Sequence, residues 1–203
     1  MKNNPDIIWL DKAESSNDEA RKAIDALDNL SVVAVRCQTA GRGQGTNSWV
    51  SAPGENLTFS VVLKDLDISP KEQIAISQIT ALSVVDFLSK HGIEAKIKLP
   101  NDIYVRSKKI CGILIENSLC GNKIKWSIVG IGINVNQTIF PSSLPNPTSM
   151  LLEKNFTAQS LDLLLNQFHE IYSEHYSHYL SSRSEGKLNA LAQLFNSKLL
   201  FSR

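Results

Sequence analysis

Residues 93–105 read Ile-Glu-Ala-Lys-Ile-Lys-Leu-Pro-Asn-Asp-Ile-Tyr-Val, and their period decides the fold. Ile93, Ala95, Ile97 and Leu99 share one face of an extended chain, while Glu94, Lys96 and Lys98 share the other. A half-buried strand with Lys98 on its polar side is expected. Downstream, Asp102 to Val105, Lys109 to Asn117 and Lys123 to Val135 are three further β-rich runs, with turns at Arg106 to Lys108 and at Gly121 and Asn122. Turns this short join antiparallel neighbours, so the region reads as an antiparallel meander.

Upstream of it, Ser69, Pro70 and Glu72 start a helix that Gly92 ends, with Ile74, Ala75, Ile79, Leu82, Val85 and Phe87 as a broad apolar face. Asn56 to Lys64 reads as a strand, as does Ser31 to Ala40 with Val32, Val33, Ala34, Val35 and Cys37. Ile7 to Leu10 is a short first strand, and Ser16, Asn17, Asp18 and Glu19 fit a capping box before Ala20, Ala23, Ile24 and Leu27 at helical spacing. Beyond the meander, Pro141, Pro145 and Pro147 mark a loop. Leu161 to Leu180 is then a helix whose stripe is Leu161, Leu164, Leu165, Phe168, Tyr172, His175 and Tyr179. The whole is an α+β domain, a mixed, mainly antiparallel sheet packed with helices.

Composition agrees with an ordinary globule: 203 residues, 42% hydrophobic and 20% charged. The formal net charge of +1 gives no general pull toward nucleic acid or membrane, so any anion site must be local. Cys37, Cys111 and Cys120 are too few for a disulfide scaffold and suit a reducing cytoplasm. Met1 to Leu10 lacks a signal-peptide pattern, and no apolar stretch approaches the roughly 20 residues of a membrane span. A cytoplasmic protein is expected. His169, His175 and His178 lie on one helix, but no carboxylate or cysteine completes a metal site with them.

Three segments can carry chemistry. Gly41 to Thr46, with Gln38 before it and Trp49 after it, is a glycine-rich loop with a single cation, Arg42; its main-chain N–H groups can approach an anion that the guanidinium pairs. Lys98, Asn101 and Asp102 are followed within one hairpin by Lys109, Cys111 and Gly112, two lysines and a carboxylate able to collect a polyanion and its Mg²⁺. Gly130 and Gly132 interrupt a strand, as at a bulge or where a flat ligand lies against the backbone.

In this order and spacing the three segments resemble the catalytic domain of biotin protein ligases. The resemblance runs from Leu10 to about Asn136 and rests on Gly41-Arg42-Gly43, Pro100-Asn101-Asp102, Lys109 with Gly112-Ile113-Leu114, and Gly132-Ile133-Asn134. It implies a core like that of class II aminoacyl-tRNA synthetases. It implies ATP-dependent adenylation of biotin and transfer of the biotinyl group to a lysine of a biotin carboxyl carrier domain of a carboxylase or decarboxylase. Biotin would be met by Ser15, Ser16, Gln38, Gly41, Arg42, Lys109, Gly112 and Gly132, and ATP by Gly43, Gln44, Trp49, Asn56, Lys98, Asn101 and Asn134. Lys109, Arg42 and Lys98 would supply catalytic charge, with Asp102 a Mg²⁺ ligand and one candidate base for the acceptor amine. Ser16 serves equally well as a helix cap, and Leu99 stands where many members have Trp.

The resemblance further implies a homodimer and no DNA partner, since no winged helix or basic recognition helix is read before the matching region. Residues 1–190 would form the catalytic domain and 191–203 the truncated start of a small β-barrel. Its apolar run Leu199 to Phe201 would be frayed or paired with another molecule's edge. Lipoate ligases share the fold and are the alternative enzymes; a biotin sensor without catalysis is the alternative of another class.

Overall fold

The β-rich runs and apolar helical faces become seven strands and five helices in a computed structural model, which describes residues 7–64, 70, 73–154, 157–181 and 185–200. In chain order these are β1 (Ile7–Ala13), α1 (Ser16–Lys22), β2 (Val32–Gln38), β3 (Asn56–Lys64), α2 (Gln73–Lys90), β4 (Lys96–Lys98) and β5 (Asp102–Val105). Then follow β6 (Lys108–Cys120), β7 (Lys123–Asn134), α3 (Met150–Lys154), α4 (Leu161–Ser181) and α5 (Glu185–Ser197). The strands make a mixed, mainly antiparallel arrangement, as expected. The chain divides into two units: one runs to Gln73 and takes in Ile113–Ile133, the other holds Ile74–Gly112 and the described residues from Asn134 on.

In the first unit β1 runs parallel to β2, Ile7 opposite Val32 and Ala13 opposite Gln38, with α1 in the connection between them. β2 runs antiparallel to β3, Val32 opposite Val61 and Ala34 opposite Phe59. β7 neighbours β3, and β6 neighbours β7. Ala20, Leu27, Val33, Val62 and Ile128 are buried together, with Leu10 and Trp126 packed against them. α1 is shorter than its apolar spacing suggests and gives way to turns after Lys22, yet Leu27 still reaches the core.

In the second unit the core lies between α2 and α4. Phe87 and Phe168 are fully buried, and their rings meet edge to face with centroids 5.7 Å apart. Thr80 and Ser83, buried on α2, donate to the Ile76 and Ile79 carbonyls one turn back, so neither hydroxyl is left unsatisfied. Ile74, expected on the buried face, is 62% exposed, and Ser69 and Glu72 of the expected capping box lie outside the described residues. His175 is half-buried and pairs through Nε2 with Asp86 Oδ2 at 2.9 Å. Ile171 and Tyr176 take the buried places beside the expected stripe.

β4 pairs antiparallel with β5, placing Lys96 opposite Tyr104 and Lys98 opposite Asp102. The alternation of residues 93–97 holds, with Ile93, Ala95 and Ile97 buried, but Leu99 is 59% exposed and belongs to the turn.

Position 190 lies inside α5, which continues to Ser197. Leu199 and Leu200 are neither frayed nor waiting for another molecule. Leu199 forms a parallel bridge with Ile97 of β4, Ile97 N–H donates to the Lys198 carbonyl and Leu200 N–H to the Ile97 carbonyl, each at 2.8 Å. The edge of β4 supplied the partner that the linear sequence did not reveal. Phe201 lies outside the described residues.

Candidate active site

The polar wiring of the first unit starts where α1 leaves β1. Ser15 is the N-cap residue, but its side chain makes no capping bond, and the expected cap at Ser16 is already helical. The Ser16 N–H instead donates to Gln38 Oε1 at 2.9 Å, so the last residue of β2 satisfies an orphan helix donor. That bond fixes the Gln38 amide and leaves Nε2 as its outward donor, close to Gly41. A Cβ on Gly41 would stand 2.5 Å from that nitrogen.

Behind Ser16 lies a chain of side-chain bonds that can be oriented by counting protons. Asn17 Nδ2 donates to Glu116 Oε2 at 2.7 Å and to the Leu114 carbonyl at 3.4 Å. Both partners are pure acceptors when Glu116 is ionised, so the Asn17 amide has one orientation and presents Oδ1 to Ser60. Ser60 Oγ is 2.6 Å from Asn17 Oδ1 and 2.8 Å from Ser16 Oγ. Its single hydrogen goes to Oδ1, which can only accept. The contact between the two hydroxyls must then use the hydrogen of Ser16. Ser16 Oγ is left with lone pairs alone to offer a ligand. Ser16, Asn17 and Ser60 are all buried, where an unmade bond is costly. A Cβ on Gly130 would meet Asn17 Oδ1 at 2.3 Å, so that glycine makes room for the amide.

Residues 41–49 form a small hairpin closed by Trp49 N–H to the Gly41 carbonyl at 2.9 Å, by Gly43 N–H to the Asn47 carbonyl at 2.8 Å and by an Arg42–Ser48 bridge. Gln44 is exposed at its turn. Arg42 is held by two carboxylates: Nη2 lies 2.8 Å from Asp18 Oδ1 and 2.9 Å from Glu116 Oε2. Arg21 reaches the same glutamate at 2.6 Å. Burial pulls the Glu116 carboxyl upward, but the bonds from Arg42 and Asn17 and the charges of Arg42 and Arg21 outweigh it and hold it below its ordinary range. The Arg42 guanidinium is raised, first by its bond to Glu116.

Gly132 lies against the indole of Trp49, whose ring atoms would stand 2.3 to 2.7 Å from a Cβ there, so the glycine makes room for that ring. Asn56 is buried and donates to Ser51 Oγ at 3.0 Å, bracing the segment that follows Trp49.

The second unit gathers the lysines. Lys109 and Gly112 are three residues apart, which in a regular strand puts them on opposite faces. A register shift between Ile103 and Tyr104 changes that: Tyr104 lies opposite Lys109 and Asp102 opposite Gly112, with Ile110 the extra residue of a bulge. Lys98, Asp102, Tyr104, Lys109 and Gly112 consequently share one face, while Ile97, Ile103 and Ile110 are buried. Lys109 Nζ meets Asp102 Oδ1 at 2.6 Å, and Lys98 Nζ lies 4.5 Å from the centre of the Tyr104 ring. Asn101 is half-buried in the turn before β5.

The backbone of Lys109 is clamped by the loop after β7, bonding at N to the Asn146 carbonyl at 2.8 Å and at O to Thr148 N–H at 2.9 Å. Asn134 donates through Nδ2 to the Thr148 carbonyl at 2.8 Å, which fixes its amide. Its buried Oδ1 has no hydrogen-bond partner among the described residues, an acceptor suited to a ligand amine. Cys111 is buried and its thiol is pushed up by that burial, so it is an inert core group. No group of three or more His, Cys, Asp or Glu among the described residues could hold a resident metal. No helix among them is long and apolar enough to cross a membrane.

The structure thus groups Ser15, Ser16, Gln38, Gly41, Arg42, Gly43, Gln44, Trp49, Asn56 and Gly132 in one unit. Lys98, Asn101, Asp102, Lys109, Gly112 and Asn134 belong to the other. Sequence reasoning missed Asn17, Ser60, Glu116 and Gly130 as members of the site; the one signal was the position of Glu116, a carboxylate on the strand that carries Lys109 and Gly112.

Comparison with known proteins bears on this geometry. The model of the biotin/lipoate A/B protein ligase family matches residues 10–134. The bifunctional ligase/repressor BirA of Bacillus spizizenii is 32% identical over 181 residues, covering 85% of this chain and 55% of the relative. The biotin--[acetyl-CoA-carboxylase] ligase of Paracoccus denitrificans is 34% identical over 129 residues, covering 62% of this chain and 53% of the relative. This chain spans about half the length of these curated relatives. The structure of biotin protein ligase from Aquifex aeolicus in complex with biotin and ATP superimposes with a TM-score of 0.77 at 26% identity, covering 97% of this chain and 79% of that one.

Proposed function

This chain belongs to the biotin/lipoate A/B protein ligase family, and from that membership we propose that it uses ATP to adenylate biotin and passes the biotinyl group to a lysine of a biotin carboxyl carrier domain. The proposal extends to a cytoplasmic location and a homodimer. The observation that carries it is the donor and acceptor pattern beside α1. Ser16 Oγ offers only lone pairs and Gln38 offers Nε2 donors, the complement of the N–H and C=O of a cyclic urea.

Adenylation brings a carboxylate to a polyphosphate, and their repulsion must be offset by fixed cations. On the second unit's polar face Lys109 and Lys98 supply such charge, already oriented by Asp102 and Tyr104. A ligand carboxylate or α-phosphate would compete with Asp102 for Lys109. Asp102, released from its cation, is the candidate base for the acceptor amine. The carboxylate of biotin attacks the α-phosphorus, pyrophosphate leaves, and the acceptor amine, losing its proton, later displaces AMP from the acyl carbon. Asn134 Oδ1 would accept from an amino group of the nucleotide. In the first unit Arg42 would exchange its carboxylate partners for the bound anion.

Mg²⁺ would arrive with ATP. One carboxylate, Asp102, suits an ion held mainly by phosphate and water and does not suit a resident metal centre. It would supply charge neutralisation of the phosphates.

Titration calorimetry with biotin tests the reading. Binding that is lost in Gln38→Ala supports it; an absence of binding in the wild-type protein refutes it.

A further inference from the structure

Glu116 lies outside the expected set of site residues, yet one of its oxygens, Oε2, accepts from both Arg42 at 2.9 Å and Asn17 at 2.7 Å. Through Asn17 it governs a run of buried groups. If Asn17 Nδ2 loses Glu116, only the long 3.4 Å contact to the Leu114 carbonyl holds the amide, too weak to keep Oδ1 toward Ser60. A reversed amide would donate to Ser60 Oγ. Ser60 would then turn its hydrogen toward Ser16, and Ser16 would turn its own outward. Two buried hydroxyls and one amide thus pass a choice of polarity from the carboxylate to Ser16, with bond lengths of 2.7, 2.6 and 2.8 Å along the way.

We propose that Glu116 is a positioning residue that sets Ser16 as an obligate hydrogen-bond acceptor, and so selects a ligand that presents an N–H there. The inference rests on the biotin reading and adds how the ring is recognised. It explains why Asn17 is buried against a glycine: Gly130 leaves space for the amide, whose short bond is the 2.7 Å one to Glu116, the contact to the Leu114 carbonyl being 3.4 Å. It also explains how the setting survives movement of Arg42. Glu116 Oε1 is held by Arg21 at 2.6 Å, so the carboxylate keeps a cation and its bond to Asn17 when Arg42 turns to a bound anion. Asp18 pairs with Arg21 at 3.2 Å and keeps that arginine in place.

The test compares affinity for biotin with affinity for biotin methylated on one or the other ureido nitrogen, by calorimetry on the wild-type protein and three variants. Wild-type protein should reject one of the two methylated compounds by about 100-fold or more, because a buried acceptor is then left unpaired. In Glu116→Ala that ratio should fall to about 10-fold or less as Ser16 becomes free to donate. Glu116→Gln should restore it, since its side-chain carbonyl still accepts from Asn17 although the charge pair with Arg42 is gone. Ser60→Ala breaks the same run at its middle and should behave as Glu116→Ala, which keeps the test decisive should the latter not fold.

Ratios unchanged in both Glu116→Ala and Ser60→Ala would overturn the proposal while leaving the biotin reading intact. A Glu116→Gln protein as poor as Glu116→Ala would also overturn it, by pointing to the Arg42 pair instead of the amide. Wild-type protein that binds no biotin overturns both.

Discussion

Lys109→Ala separates the two roles that the structure gives this lysine. Its backbone is held on both sides by Asn146 and Thr148 whatever the side chain, so the bulge and the register of β5 and β6 should persist. The lost contact is the 2.6 Å pair with Asp102, whose side chains are 31% and 20% exposed. A pair at that depth is partly screened, and leaving Asp102 without its cation should cost about 1 kcal/mol of stability. For a chain of this size that is a fall of roughly 2–4 °C in melting temperature. The catalytic effect should be larger. Removing one fixed cation from the phosphoryl-transfer step costs about 3 kcal/mol of transition-state stabilisation, on the order of 100-fold in rate. Asp102→Ala in the Lys109→Ala background should recover the stability, because the stranded carboxylate is gone, without recovering the rate. The assay is biotin-dependent pyrophosphate release beside a thermal melt. Unchanged release from Lys109→Ala would remove the lysine from the mechanism, and recovery of rate in the double variant would show that the loss came from the stranded carboxylate.

Gly132→Ala should push the Trp49 indole back by about 1 Å to regain ordinary carbon contact, lowering ATP affinity in a nucleotide titration; unchanged affinity would detach Trp49 from the nucleotide. Biotin should draw Arg42 off Asp18 and Glu116, so protease cutting within residues 41–46 should slow on its addition, and equal rates would show that the hairpin does not respond. Because the Glu116 carboxyl is held below its ordinary value of 4.5, its contribution to stability is present above that pH and is lost as pH falls through the folded value. Acid melts of Glu116→Gln should therefore show a shallower loss of stability below about pH 4.5 than the wild type, and parallel curves would contradict the assignment. Phe168→Ala, at a fully buried ring, should destabilise the second unit by about 3–5 kcal/mol in denaturant melts.

Local pattern made much of this legible in the sequence. Asn56–Lys64 and Asp102–Val105 are strands to the residue, since β-branched runs bounded by turn formers leave little choice. The loop with Arg42 and the lysines at 98 and 109 declared themselves by residue type. What stayed hidden depends on partners distant in sequence. The bulge at Ile110 is a matter of register with β5, and without it Lys109 and Gly112 would sit on opposite faces. Glu116 belongs to the site because Arg42 and Asn17, 74 and 99 positions away, bond to it. Ser16 reads as a cap by composition, but it is already helical and its own N–H donates to Gln38. That the glycines of β7 make room for Asn17 and Trp49 was hidden as well, since both neighbours lie far away in sequence.

The central claim is that this chain joins biotin to AMP. Purified protein with biotin, ATP and Mg²⁺ should release pyrophosphate, should release none when biotin is omitted, and should release far less when lipoate replaces it. No pyrophosphate with biotin would contradict the account, and release with lipoate equal to that with biotin would contradict the specificity read from Ser16 and Gln38.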